Sequence, residues 1–187
     1  MINHRFLYIL TFILVISKAA TGYEMGIVGG LNSNSSSTSV AATTIEGFTG
    51  FHVGVIGFAE LSNQFSIRSG ALYAQRGIDV VSGTSTTEAR LSYLEVPVTV
   101  MYMANESIGL FGGAHLGVKI SDSCSVNGVS CNLTNPESIS IGAVLGAQFR
   151  FIPNIGGEVS YVMGVNKVSD PTVEALSSLM LSAFYLF

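Results

Sequence analysis

The chain has 187 residues, of which 48% are hydrophobic and 11% charged, with a formal net charge of -4 at pH 7. Charge this scarce, against ~25% in ordinary soluble domains, goes with a mean hydropathy of +0.52, and with no basic cluster it excludes nucleic acid as a partner. After residue 16 no apolar run is long enough for a spanning helix. An apolar chain without such a run reconciles the two by alternation, with one face toward lipid and the other toward a polar interior.

Met1-Ile2-Asn3-His4-Arg5 is a short basic start, Phe6 to Ile16 is a mostly apolar run of eleven residues, and Ser17-Lys18-Ala19-Ala20-Thr21-Gly22 supplies small residues. This pattern predicts a secretory signal peptide over 1–22, cleaved after Ala19 or Gly22. Eleven apolar residues fall short of the ~20 that a transmembrane helix needs. Loss of Arg5 and Lys18 takes the formal net charge from -4 to -6. Residues 23–187 are predicted to form one domain.

Eight strands follow, approximately Tyr23 to Asn32, Gly47 to Glu60, Phe65 to Ile78, Arg90 to Met103, Ile108 to Ile120, Ser138 to Phe151, Gly156 to Asn166 and Ala175 to Phe187. Three connections read as tight turns: Leu61-Ser62-Asn63-Gln64, Ala104-Asn105-Glu106-Ser107 and Ile152-Pro153-Asn154-Ile155. The other four, at 33–46, 79–89, 121–137 and 167–174, read as longer polar loops. The first of these contains a Ser- and Asn-rich stretch from Asn32 to Ser39 that is expected to be mobile. Short turns at one end and long loops at the other, with both termini on the short-turn side, are the asymmetry of outer-membrane barrels.

Facing follows from period two. In the fifth strand Ile108, Leu110, Ala114, Leu116, Val118 and Ile120 belong in lipid, and Gly109, Phe111, Gly113, His115, Gly117 and Lys119 in the lumen. The fourth, sixth and seventh strands alternate in the same way. In the second strand Phe51, Val53 and Val55 compete with His52, Ile56 and Phe58 for the lipid face. Tyr73, Tyr102, Tyr161 and Tyr185 read as interfacial aromatics. Abundant lumenal glycine suits a barrel of eight strands, whose interior is just wide enough for side chains.

Cys124 and Cys131 flank a polar segment centred on Asn127-Gly128, a turn signal that brings the thiols together. In an oxidising compartment they are expected to form a disulfide closing one loop. A zinc or redox site is disfavoured by the spacing.

The final strand, with Leu181, Ala183, Tyr185 and the terminal Phe187 on one face, resembles the signal by which bacterial outer-membrane barrels are assembled. Gly70-Ala71-Leu72-Tyr73-Ala74-Gln75-Arg76-Gly77 and Tyr93-Leu94-Glu95-Val96-Pro97, with Gly29-Gly30-Leu31-Asn32, resemble the outer-membrane β-barrel family that includes PorT-like proteins of Bacteroidetes, small barrels also similar to the OmpA and OmpX type. The resemblance covers essentially the whole of residues 23–187. It departs at Gly70, where the family often has a glutamate, so the family's usual charge pairing is in doubt. A secretion role does not transfer on fold alone.

The interior ionisable residues Arg68, Arg76, Glu95, His115, Lys119, Arg150 and Glu158 are the candidate site. They line a passage or bind an anion on one reading, and on the other they form a charge-balanced network that holds the strands, as the cost of isolated buried charge favours. Catalysis is disfavoured, because neither His52 nor His115 has a serine two residues on. Only a cross-strand histidine–serine pair is left open.

The expectation is therefore an all-β, eight-stranded antiparallel up-and-down transmembrane barrel in the Gram-negative outer membrane. It is expected to be non-enzymatic, with no cofactor, no metal and no catalytic residue, and structural or adhesive through its outer loops. The alternatives are a narrow channel or secretion-assembly component, or a soluble lipocalin-like carrier. The expected partners are outer-membrane lipid, the barrel-assembly machinery and an extracellular or secretion-system protein.

Overall fold

A computed structural model describes residues 23–36, 43–131, 138–169 and 173–187. The predicted signal peptide over 1–22 lies outside the described residues, as do 37–42, 132–137 and 170–172. The strands are β1 (Tyr23–Ser35), β2 (Thr43–Glu60), β3 (Phe65–Ser82), β4 (Ser85–Met103), β5 (Ile108–Val126), β6 (Val129–Cys131), β7 (Ile139–Ile152), β8 (Ile155–Ser169) and β9 (Val173–Leu186).

Each strand pairs antiparallel with its neighbours in the order β4-β3-β2-β1-β9-β8-β7-β5, and β4 pairs with β5 to close the ring. The result is an eight-stranded antiparallel barrel. The short β6 hangs on β5 beyond the ring. Closure satisfies the backbone groups that an open sheet edge would leave unpaired in hydrocarbon.

The outer wall is apolar. Ile108, Leu110, Leu116, Val118 and Ile120 on β5, and Ile139, Ile141, Leu145, Phe149 and Phe151 on β7, are exposed outward. Thirteen residues from Ile108 to Ile120, at ~3.3 Å per residue and a tilt near 40°, give an apolar band about 30 Å tall. Aromatic residues gather at its short-turn rim. The rings of Phe65 and Tyr102 lie 5.3 Å apart and those of Phe149 and Phe151 5.2 Å apart, with Tyr23, Tyr185 and Phe187 exposed nearby. Tyr73 instead pairs with Phe51 at 5.6 Å, farther up the wall, and Tyr161 is exposed on β8. On β2 the ambiguity of facing resolves. His52, Ile56 and Phe58 are buried in the lumen, and Phe51, Val53 and Val55 face out.

The expected loop lengths need correction. The span 79–89 is a hairpin, with β3 and β4 paired to Ser82–Ser85 around Gly83-Thr84 and Gly83 at a φ of 60°. β1 and β2 run into the first long connection as far as Ser35 and from Thr43, so Ser33 to Ser35 of the Ser- and Asn-rich stretch are strand. β5 continues to Val126 and turns back as β6, where the sequence suggested only loop. β8 and β9 enter the fourth connection to Ser169 and from Val173. Polar residues occupy both faces of most of these extensions, including Asn34 where it is buried in the lumen, so they carry no hydrophobic alternation and read as polar loops.

The lumen is less polar than its glycines suggest. Toward the short-turn end Val28, Ile56, Phe58, Met101, Phe111, Phe184 and Leu186 pack into an apolar cluster, with Leu72, Val144, Val162 and Met180 continuing it. Each fully buried Phe or Met of this kind contributes about 1.5–3 kcal/mol. Glycine makes room for two of the rings. Phe111 stands directly across from Gly146, and Phe184 from Gly156, and a Cβ added at either glycine would run into the ring.

Candidate functional site

Inside the wall, the ionisable residues separate into two buried pairs and two outlying ones. Arg68 on β3 meets both carboxylate oxygens of Glu158 on β8, at 2.9 and 2.8 Å, with side chains 3% and 6% exposed. β3 and β8 lie on opposite sides of the ring, with three strands between them either way. This pair therefore spans the lumen. The Arg68 guanidinium also lies 4.6 Å from the centroid of the Phe111 ring, which ties it to the apolar cluster.

Arg76 and Glu95 form the second pair between the adjacent strands β3 and β4, at 2.5 and 3.0 Å. Glu95 is completely buried, and His115 Nε2 on β5 stands 3.6 Å from Oε1, the oxygen that accepts from Arg76 Nε. From Arg76 the network crosses the barrel. Arg76 donates to the Ser178 hydroxyl on β9, which donates to Asn34 at 2.5 Å. Asn34 donates to the Phe48 carbonyl at 2.9 Å, and Asn32 to the Gln75 carbonyl at 2.8 Å. With His115 the arrangement links six of the eight wall strands, β1 to β5 and β9, and both oxygens of the Glu95 carboxylate are hydrogen-bonded, as buried charge requires.

Lys119 and Arg150 lie apart from these pairs. Lys119 pairs with Asp122 at 2.8 Å near the outer end. Arg150 pairs with Glu24 at 2.9 Å at the short-turn mouth. The acids that complete these two contacts, Glu24 and Asp122, were missed by sequence reasoning, because each sits at the margin of a strand where alternation is weakest.

One cross-strand histidine–serine pair is present. His52 Nε2 lies 2.8 Å from Ser182 Oγ on β9, reaching over Gly30, which pairs with both residues. Yet among the described residues His52 Nδ1 has no hydrogen-bond partner, so none of their acids orients the ring, and both residues are buried. A nucleophile needs that orienting group and access for substrate.

At the outer end, Cys124 and Cys131 are directly paired across β5 and β6 and form a disulfide, with Cα atoms 5.0 Å apart. The hairpin turns at Asn127-Gly128, both with positive φ, 50° and 83°, the conformation that a two-residue turn of this kind demands. Its tip is pinned to β4, because Asn127 N donates to the Thr86 carbonyl and Thr86 N donates to Asn127 Oδ1, each at 2.9 Å. β3, β4, β5 and β6 thus continue above the apolar band as one polar, hydrogen-bonded ledge. Asp79, Glu88 and Arg90 form ion pairs on it, and the Arg90 guanidinium lies 4.1 Å from the centroid of the Phe48 ring.

Residues 17–170 match the family model described as outer membrane protein beta-barrel domain. No curated protein matches the chain. Among solved structures, it is similar to Ail, the attachment invasion locus protein of Yersinia pestis, in complex with the heparin analogue sucrose octasulfate. That match has 20% identity and a TM-score of 0.55, and covers 89% of this chain and 100% of Ail. It is also similar to Neisserial surface protein A, at 18% identity and a TM-score of 0.55 over 88% and 97% of the two chains. OprG from Pseudomonas aeruginosa is 11% identical, with a TM-score of 0.50 over 91% and 98%. Identities this low speak to the fold.

Proposed function

The chain belongs to the outer membrane protein β-barrel domain family, and from that premise we propose that it is a non-enzymatic surface barrel that engages an extracellular partner through its outer hairpins. The observation that carries this reading is the β3–β6 ledge. Strand pairing, the Cys124–Cys131 disulfide and the Asn127–Thr86 contacts hold it in one conformation above the lipid. A surface held rigid before binding loses less entropy on binding. Among the described residues, the lumen beyond its short-turn mouth is occupied by the Arg68–Glu158 pair and the apolar cluster.

The partner's chemistry differs from that of the heparin analogue held by Ail. Among the described strand positions, the outer end carries Glu46, Asp79, Glu88, Asp122 and Glu174 against Arg90, Lys119 and Lys167, and Arg90 and Lys119 are already paired. Such a surface repels polysulfated chains and suits a neutral or basic protein surface. A narrower kinship with PorT-like barrels, resting on Tyr93-Leu94-Glu95-Val96-Pro97, would make the partner a component of a secretion assembly.

Deleting residues 125–130 from the protein displayed on cells tests the reading. Binding of the cells to host material or to a captured surface partner is expected to fall while the barrel stays folded in the outer membrane. Unchanged binding to every partner tried would contradict it.

A further inference from the structure

The short-turn end of the barrel holds a cavity of about 390 Å³, lined in part by Arg150 and Glu24, that neither of the two buried ion pairs nor the ledge lines. Its size falls in the range of small-molecule sites. Phe58, Met101 and Met103 line it with apolar and thioether surface, while Glu24, Glu60 and Glu106 supply carboxylates against one cation, Arg150.

Arg150 displays the chemistry that this cavity accepts. Its guanidinium is 2.9 Å from Glu24 and 5.9 Å from the centroid of the Phe58 ring, so a carboxylate and an aromatic face already hold one cation there. Two carboxylates remain: among the described residues Glu60 and Glu106 form no ion pair. Beside the wall, Gln148 is 2% exposed and sets its Nε2 3.7 Å from Met103 Sδ, and its Oε1 has no partner among the described residues.

We propose that this cavity binds a small organic cation, an alkylammonium whose charged end meets Glu60 and Glu106 and whose hydrocarbon body lies on Phe58, Met101 and Met103. Thioether sulfur and an aromatic face are soft, polarizable contacts for such a body. An anionic ligand meets like charge at the rim. A hard metal ion wants several oxygen ligands, and among the described residues no group of three His, Cys, Asp or Glu could hold one.

The test uses the protein in nanodiscs of zwitterionic lipid with methionine methyls labelled for NMR, titrated with pentylamine as its ammonium salt. Met101 and Met103 are expected to shift saturably, while Met25 and Met163 on the lipid face and Met180 higher in the lumen stay still. In the double variant Glu60→Gln with Glu106→Gln, both exposed positions at the rim, the affinity is expected to fall roughly tenfold. Sodium chloride at matched ionic strength is expected to leave Met101 and Met103 unmoved. Shifts that salt reproduces, that spread to Met25 and Met163, that never saturate, or that persist in the double variant would overturn the proposal.

Discussion

Arg68 and Glu158 hold each other across the full width of the barrel, from β3 to β8, through two contacts of 2.9 and 2.8 Å. Removing one partner leaves a buried charge uncompensated. Glu158→Gln is therefore expected to destabilise the barrel by about 3–5 kcal/mol, while the apolar pair Arg68→Met with Glu158→Leu recovers most of that loss. Urea unfolding in detergent, read as the fraction migrating folded on an unboiled gel, measures both. A single variant as stable as the parent would show that the pair bears no weight.

The same pair, backed by Phe111 4.6 Å away, also closes the lumen. Eight strands leave only enough interior for side chains. In planar bilayers the parent is expected to give no sustained conductance, and Arg68→Ala with Phe111→Ala to give intermittent steps. Steady ohmic current through the parent would contradict a closed lumen.

Gly146 faces the Phe111 ring directly, and an added Cβ has nowhere to go. Gly146→Ala is expected to cost about 1–3 kcal/mol through overpacking. Phe111→Leu in the same chain should return part of that cost, because the smaller side chain vacates the space. Unfolding midpoints of the single and double variants settle the coupling.

The Cys124–Cys131 disulfide lies outside the ring of eight strands, on the β5–β6 hairpin. Cys124→Ser with Cys131→Ser is expected to leave barrel unfolding almost unchanged and to make the 121–137 segment faster to cleave by added protease on intact cells. A large loss of barrel stability would mean that the hairpin supports the wall.

Much of this architecture was legible from alternation. The period-two pattern of Ile108 to Ile120 and of Ile139 to Phe151 separates lipid from lumen without further information. What it does not carry is the partner across the barrel. Arg68 and Glu158 are 90 positions apart, and their meeting depends on the stagger of strands around the ring, which no local window contains. The apolar cluster escaped for a related reason. Val28, Phe58, Met101 and Phe184 sit on the lumenal face of four different strands, and only closure stacks them at one height. The ledge was hidden because its strands, such as Ser85 to Arg90, are polar on both sides, and polar strands look like loops until their pairing is seen. The pairing of His52 with Ser182 was equally out of reach, since Gly30 on the strand between them makes it possible.

The most direct test places an epitope between Asn127 and Gly128 in one version of the protein and between Asn105 and Glu106 in another. Intact cells are expected to bind antibody only to the first, with the second labelled after the outer membrane is permeabilised. Labelling of the second on intact cells, or of neither after correct folding, would contradict a barrel that holds its β5–β6 hairpin out to the cell's surroundings.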